Sequence, residues 1–389
     1  MPTEARARVA LIHDFLLDVR GAERVFLAMC DLWPDADVFT AVYDEDGTEG
    51  RFAHRRVHTS FLQKLRPTSR TFRPLFPLYP AAVEAFDLSD YDLVVSSSSA
   101  WAHAVICDEG TTHVCYCHNP FRYAWNDREA TLAARNPVTR LTLQVLFRRW
   151  RQWDWIAAQR VDRYLTNSRA TQARVRAYFG RDSDVVYPPV DTSRFRTGPV
   201  KDYYLVVSEL MAHKRIAVAI EAFNAVGLPL VVVGDGPEQR QLKRMAGPTV
   251  TFTGRIGDAE VADLMSGCRA LVLPGTEEFG IAAVEAQAAG RPVLAARGGG
   301  ALETVREGIT GAFWDGTAGG LIDAVRTFDT GAVDPETCVA SARRFDLSRF
   351  KEALPRLVDE ARGGDGARPL PERELLRTTR LALRAGARG

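Results

Sequence analysis

The sequence predicts an α/β protein built from two doubly wound parallel sheets. Short β-branched runs alternate with helical patterns along nearly the whole chain. These runs are apolar throughout rather than alternating, as strands covered on both faces are. A proline-rich, aperiodic stretch, "VYPPVDTSRFRTGPVKD" (186–202), then interrupts the series and reads as a hinge.

In order, the strand candidates are "VALIH", "DVFTAVY", "DLVVSSS", "HVCYCH", "DRYLTNS" and "DVVYPPV" before or into the hinge. "YYLVVSEL", "PLVVVGDG", "VTFTGR", "RALVLPG" and "PVLAAR" follow it. The division expected is 1–192 for the first domain and 199–345 for the second. Helices after about 346 complete the first domain, and 363–389 forms a basic tail. Ligands of such sheets bind beyond the carboxyl ends of strands, so a cleft between the halves is the expected site.

Composition narrows the function classes. The chain has 389 residues, 46% apolar and 25% charged, and Lys+Arg 50 against Asp+Glu 49 leaves no electrostatic case for nucleic acid. The six cysteines (Cys30, Cys107, Cys115, Cys117, Cys268 and Cys338) are sparse and mostly in apolar runs, which suits reduced thiols in the cytoplasm. Neither a signal-peptide h-region nor an apolar run of about 18 residues is present, so neither secretion nor membrane spanning is expected.

The most informative segment is "LPGTEEFGIAAVEAQAAGRPVLAARGGG" (273–300). It leaves a strand, crosses an acidic loop and opens an Ala-rich helix near Gly280 that stops at Gly290. The amides of Gly280, Ile281 and Ala282 then face out of a helix N-terminus, where unpaired N–H groups and the helix dipole favour an anion. Glu277 lies on one side and Glu285 along the other, a spacing that suits sugar, diphosphate and ribose in turn. An ordinary strand–loop–helix with surface glutamates fits the same pattern.

"EEFGIAAVEAQAAG" resembles the E-x7-E motif of retaining family-4 glycosyltransferases, enzymes of GT-B fold. "VVVGDGPEQRQL", "VTFTGRIGDAEVADLMSGCRALVLP" and "GGGALETVREGITGAF" follow the family's order, as do "IHDFLLDVRGAERV" and "LTNSRATQARV" upstream. Within the family, "CYCHNPFRYAW" and "YPPVD" are most similar to bacterial mannosyltransferases of O-antigen and exopolysaccharide assembly.

The resemblance implies roles. Glu277 contacts donor-sugar hydroxyls near the reacting carbon, Glu285 binds ribose, and Lys214 in "SELMAHKRI" neutralises the departing diphosphate. Phe279, Gly280, Ile281 and Ala282 fall on the donor side, Arg255 and Ile256 in the base-contacting loop, and Gly21 in a loop that approaches the phosphates. Where the family usually carries arginine this chain has Glu209, so Arg215 supplies the second cation or the leaving group is held less tightly.

In "THVCYCHNPFRYAW" (112–125) the spacing is one residue short of a haem-attachment motif, and no second ligand pair suggests zinc. Cys115 and Cys117 read as buried thiols. His118 falls at the strand end, where a family histidine contacts the donor sugar; a core histidine bonded to backbone is the alternative. Arg122, Tyr123 and Trp125 are acceptor-side candidates.

"FLQKLRPTSRTFRPLFPLYP" (61–80) and "VLFRRWRQWDW" (145–155) mix basic and aromatic residues. They read either as a surface for anionic lipid at the inner membrane face or as helices covering the sheet.

The expected function is retaining transfer of a hexose, mannose favoured, from a nucleotide-sugar such as GDP-mannose to a glycan or polyprenyl-linked acceptor. No cofactor and no metal are expected, since Lys214 and the helix end carry the charge. A sugar-nucleotide epimerase or phosphorylase and a non-catalytic nucleotide-sugar binder are the alternatives. A dinucleotide oxidoreductase lacks its G-x-G-x-x-G here.

Overall fold

A computed structural model describes residues 7–69, 71–133 and 135–363. The chain divides into two compact units. One holds the described residues up to Asn167, Thr171–Val186 and those from Lys351 onward; the other holds Ser168–Ala170 and Tyr187–Phe350.

The first unit carries a seven-stranded sheet: β1 (Val9–His13), β2 (Asp37–Thr40), β3 (Val57–Thr59), β4 (Leu93–Ser98), β5 (Thr112–Cys117), β6 (Arg163–Thr166) and β7 (Ser183–Val185). Their spatial order is 3-2-1-4-5-6-7, and every pairing is parallel. The second unit carries β8 (Tyr204–Val207), β9 (Leu230–Val233), β10 (Val250–Gly254), β11 (Leu271–Leu273), β12 (Val293–Ala296) and β13 (Gly311–Trp314), in the order 10-9-8-11-12-13 and again all parallel.

Both sheets follow one winding rule. The chain builds outward from β1 to β3, returns to the other side of β1 and continues through β4 to β7; the second unit repeats this around β8. The order therefore reverses between β1 and β4 and between β8 and β11, and beside such a switch the loops at the carboxyl ends part to admit a ligand. The central strands are buried on both faces, as their apolar runs require: β4, β11 and β12 have no exposed residue. In the first unit Trp101 is fully buried beneath the rings of Tyr79, Phe121 and Trp150.

Differences from the sequence reading have local causes. In the run "DVFTAVY" the continuous strand ends at Thr40; beyond it Tyr43 makes only an isolated bridge with Leu16, and its amide donates to the Gln63 side chain (2.7 Å). "DVVYPPV" ends at Val185, ahead of Pro188 and Pro189, which have no N–H to give. Strands β3 and β13 escape the pattern because each is a short edge strand with one neighbour. The basic tail beyond Gly363 and Arg70 of the basic–aromatic cluster lie outside the described residues. In that cluster Phe72 and Tyr79 are buried and Phe76 packs on the same core, so these rings cover the sheet rather than face outward.

Candidate active site

In the second unit Lys214 and Glu277 come together at the β8/β11 switch. β8 runs into a loop and a short turn, Ala212–Lys214, after which Arg215 adopts the left-handed region (φ 55°) and the helix Ile216–Val226 begins. Lys214 Nζ donates to Glu277 Oε2 in an ion pair whose side chains are only 19% and 17% exposed. Two glycines make this approach possible. A Cβ on Gly275 would stand 2.9 Å from the carbonyl oxygens of His213 and Lys214, and one on Gly300 would stand 2.2 Å from Phe279 Cα. The Gly300 amide also donates to the Glu277 carbonyl (3.0 Å). The glutamate loop is thus clamped by backbone on both sides, which fixes its carboxylate without a cost in side-chain order.

The helix that follows is Ile281–Ala288, opened by Gly280 at φ 87°. Its Ala283 amide donates to the Gly280 carbonyl (3.0 Å), while the amides of Ile281 and Ala282 precede any intrahelical acceptor. Glu285 lies half-buried about one turn into this helix. The Phe279 ring is 3% exposed and packs on Tyr187 and Phe345 (5.7 and 5.3 Å), so it is the backbone of this donor-side residue that faces away from the core cluster. Arg215 donates to the Gly316 carbonyl (2.8 Å), so its guanidinium is committed to the turn after β13. Glu209 lies half-buried in the loop after β8, and its carbonyl accepts from the Met211 amide (2.9 Å). Arg255 is exposed after β10, and Ile256 packs partly into the core.

In the first unit His118 stands just past β5, beside the β1/β4 switch. Register explains its neighbours: His13 pairs with Ser97 across β1 and β4, and the His118 amide donates to the Ser98 carbonyl (2.7 Å). The Ser97 hydroxyl lies 2.9 Å from His118 Nε2 and 3.1 Å from His13 Nδ1. Asn167 Nδ2 and Thr171 Oγ1 donate to the His118 carbonyl (3.0 and 3.2 Å), which anchors its backbone. Gly21 is exposed as the first residue of the helix Gly21–Leu32.

Burial first, then the nearby His13, pushes the His118 pKa down to about 3 from an ordinary 6.5. The unfolded chain binds this proton below pH 6.5 and the folded chain does not until about pH 3. Stability is therefore complete above that window and falls as pH drops through it, by up to about 1.4 kcal/mol per pH unit. The variant His118→Gln is expected to flatten the slope of urea stability between pH 6.5 and 4.5; an unchanged slope would refute a buried neutral imidazole.

The acceptor-side candidates are tied down. Arg122 pairs with Asp127 (3.1 Å), Tyr123 packs beside Phe121 (5.6 Å), and Trp125 stacks on Tyr178 while donating to buried Asp154 (2.6 Å). These contacts fix the orientation of the latter two rings. All six cysteines are free thiols, and burial holds Cys115 and Cys117 well above the ordinary thiol range, so neither is a ready thiolate.

Sequence reasoning missed Asp14 and the serine run of β4. Asp14 is 1% exposed, and its two carboxylate oxygens accept from the amides of Ser99, Ala100, Trp101 and Ala102 (2.6, 3.0, 2.6 and 2.6 Å). Ser96, Ser97 and Ser98 meet His113, the His13/His118 pair and His103. Four consecutive serines at a strand end were the available signal.

Two family models cover most of the chain: "Glycosyltransferase Family 4" over residues 19–194 and "Glycosyl transferases group 1" over 191–343. The chain belongs to glycosyltransferase family 4. Among relatives of this family member, a GDP-mannose-dependent alpha-(1-6)-phosphatidylinositol monomannoside mannosyltransferase of Mycobacterium tuberculosis is 31% identical over 240 residues. That match covers 51% of this chain and 61% of the relative, about three-fifths of its length. A GDP-mannose-dependent alpha-mannosyltransferase of Corynebacterium glutamicum is 36% identical over 110 residues, 28% of this chain and 26% of the relative. Among solved structures, Anabaena HepE in complex with UDP and glucose aligns at TM-score 0.66 and 20% identity, covering 91% of this chain and all of that one. Sucrose-phosphate synthase from Thermosynechococcus elongatus aligns at 0.70 and 17%, covering 91% and 99%. At such identities the likeness shows the fold, GT-B with two Rossmann-like units.

Proposed function

We propose that this family-4 member is a retaining, metal-independent mannosyltransferase. It takes mannose from GDP-mannose and places it on a hydroxyl of a glycan or polyprenyl-linked saccharide. The observation that carries the reading is the Lys214–Glu277 pair, held by backbone clamps beside the tip of helix Ile281–Ala288. A diphosphate at that tip would meet aligned amides and the Lys214 ammonium, which offset the charge that grows on the leaving group. Glu277 then orients the sugar, Glu285 takes the ribose, and His118 meets a sugar hydroxyl. In the front-face course that the family implies, the acceptor proton goes to the departing β-phosphate oxygen. Mannose is favoured because the relatives named above are GDP-mannose-dependent.

Peripheral contact with the inner membrane face belongs to the same reading. Among the described residues no helix is long and apolar enough to cross a membrane. Helix Pro137–Ala158 nevertheless exposes Val138, Leu141 and Val145 on one face (78%, 65% and 51%), and Arg140, Arg148 and Arg149 are exposed along it. An apolar stripe flanked by arginines suits an anionic lipid surface.

The test is a donor panel of GDP-mannose, UDP-glucose and ADP-glucose, run with polyprenyl-linked acceptors in detergent or in anionic vesicles, with and without EDTA. GDP-mannose consumption with an α-mannosyl product, unchanged by EDTA and faster on vesicles, is the expected result. Product without acceptor would indicate an epimerase, and binding without turnover a non-catalytic module.

A further inference from the structure

The mechanism above uses His118 but not the polar chain behind it. Glu23 is 7% exposed; its Oε2 accepts from the Arg20 amide (3.0 Å), and its Oε1 faces His13 Nε2 at 3.5 Å. With Glu23 as the acceptor, a neutral His13 carries its one proton on Nε2 and leaves Nδ1 as an acceptor. The Ser97 hydroxyl has one proton, which goes to that Nδ1 (3.1 Å). Its oxygen is then an acceptor toward His118 Nε2 (2.9 Å), which must be the protonated nitrogen. Among the described residues nothing else bonds to the His118 ring, and Nδ1 is not among the buried unpaired atoms.

We propose that Glu23, His13 and Ser97 form a relay that fixes His118 as the Nε2–H tautomer and presents its Nδ1 lone pair to a hydroxyl of the transferred sugar. The three are positioning residues, acting on the substrate only through His118. A neutral nitrogen with a lone pair accepts from a hydroxyl and repels an anionic oxygen, so the group recognised is a sugar hydroxyl rather than a phosphate or carboxylate. The identity of that hydroxyl rests on the transferase reading; the tautomers do not.

Long-range proton–nitrogen correlation on the 15N-histidine-labelled full chain reads the tautomers directly, with His13→Gln and His118→Gln assigning the signals. Both histidines are expected as Nε2–H at pH 7. Ser97→Ala is expected to mix the His118 tautomers and lower kcat about tenfold, the worth of one hydrogen bond, with donor KM little changed, and Ser97→Thr to restore both. Among monodeoxy GDP-mannose donors, one should lose about tenfold in kcat/KM with the natural chain and not with His118→Gln. An Nδ1–H signal for His118 in the natural chain, or tautomers indifferent to Ser97→Ala, overturns the relay. The expected tautomers in a chain that turns over no donor support the relay and overturn the transferase reading alone.

Discussion

Lys214→Ala is expected to lower kcat for sugar transfer by about 10²–10³-fold with a smaller change in donor KM, the usual loss on removing one preorganised charge stabiliser. In the proposed mechanism the ammonium would meet the diphosphate in both ground and transition states, with negative charge growing there only as the glycosidic bond breaks. The structure adds a second consequence. Lys214 is paired with Glu277, so its removal also leaves a carboxylate that is only 17% exposed without its cation. Glu277→Ala should therefore be comparably inactive, and the double variant should lose much less than the product of the two single losses. Steady-state kinetics of the three variants checks this; multiplicative losses would mean that the residues act independently, and natural turnover in either single variant would sink the assignment.

Asp14→Ala is expected to destabilise the first unit by about 4 kcal/mol. Four amides converge on this carboxylate, three of them from buried residues, and each buried donor left without an acceptor costs about 1–3 kcal/mol, reduced where water enters. Asp14→Asn keeps one acceptor oxygen and should lose about half as much. Urea unfolding followed by tryptophan fluorescence reads the difference, since Trp101 sits on the clamped segment. The two units need not unfold together, so the transition to compare is the one reported by that tryptophan. A natural midpoint in Asp14→Ala would mean that the clamp is dispensable.

Much of this was legible in the sequence because it rests on local pattern. Uniformly apolar runs announced two parallel sheets, and strand, acidic loop and Ala-rich helix are contiguous between Leu273 and Gly290. What stayed hidden was set by distance along the chain. Asp14 reaches amides 85 to 88 residues away, and the Gly300 backbone clamps a loop that only the fold brings to it. Phe279 shows the opposite case: it lies inside the most specific motif, yet its side chain turns to the core. The hydrogen bond from the Trp125 indole N–H to buried Asp154, on a helix 29 residues away, was likewise hidden until the fold brought the two together.

The serine run carries an implication for how β4 finds its place. A slide of one residue along the neighbouring strands would strand three buried imidazoles and a buried carboxylate at once, so misaligned pairings are penalised by polar mismatch as well as by lost apolar cover. Insertions or deletions within these few positions should be tolerated far less than their small side chains suggest.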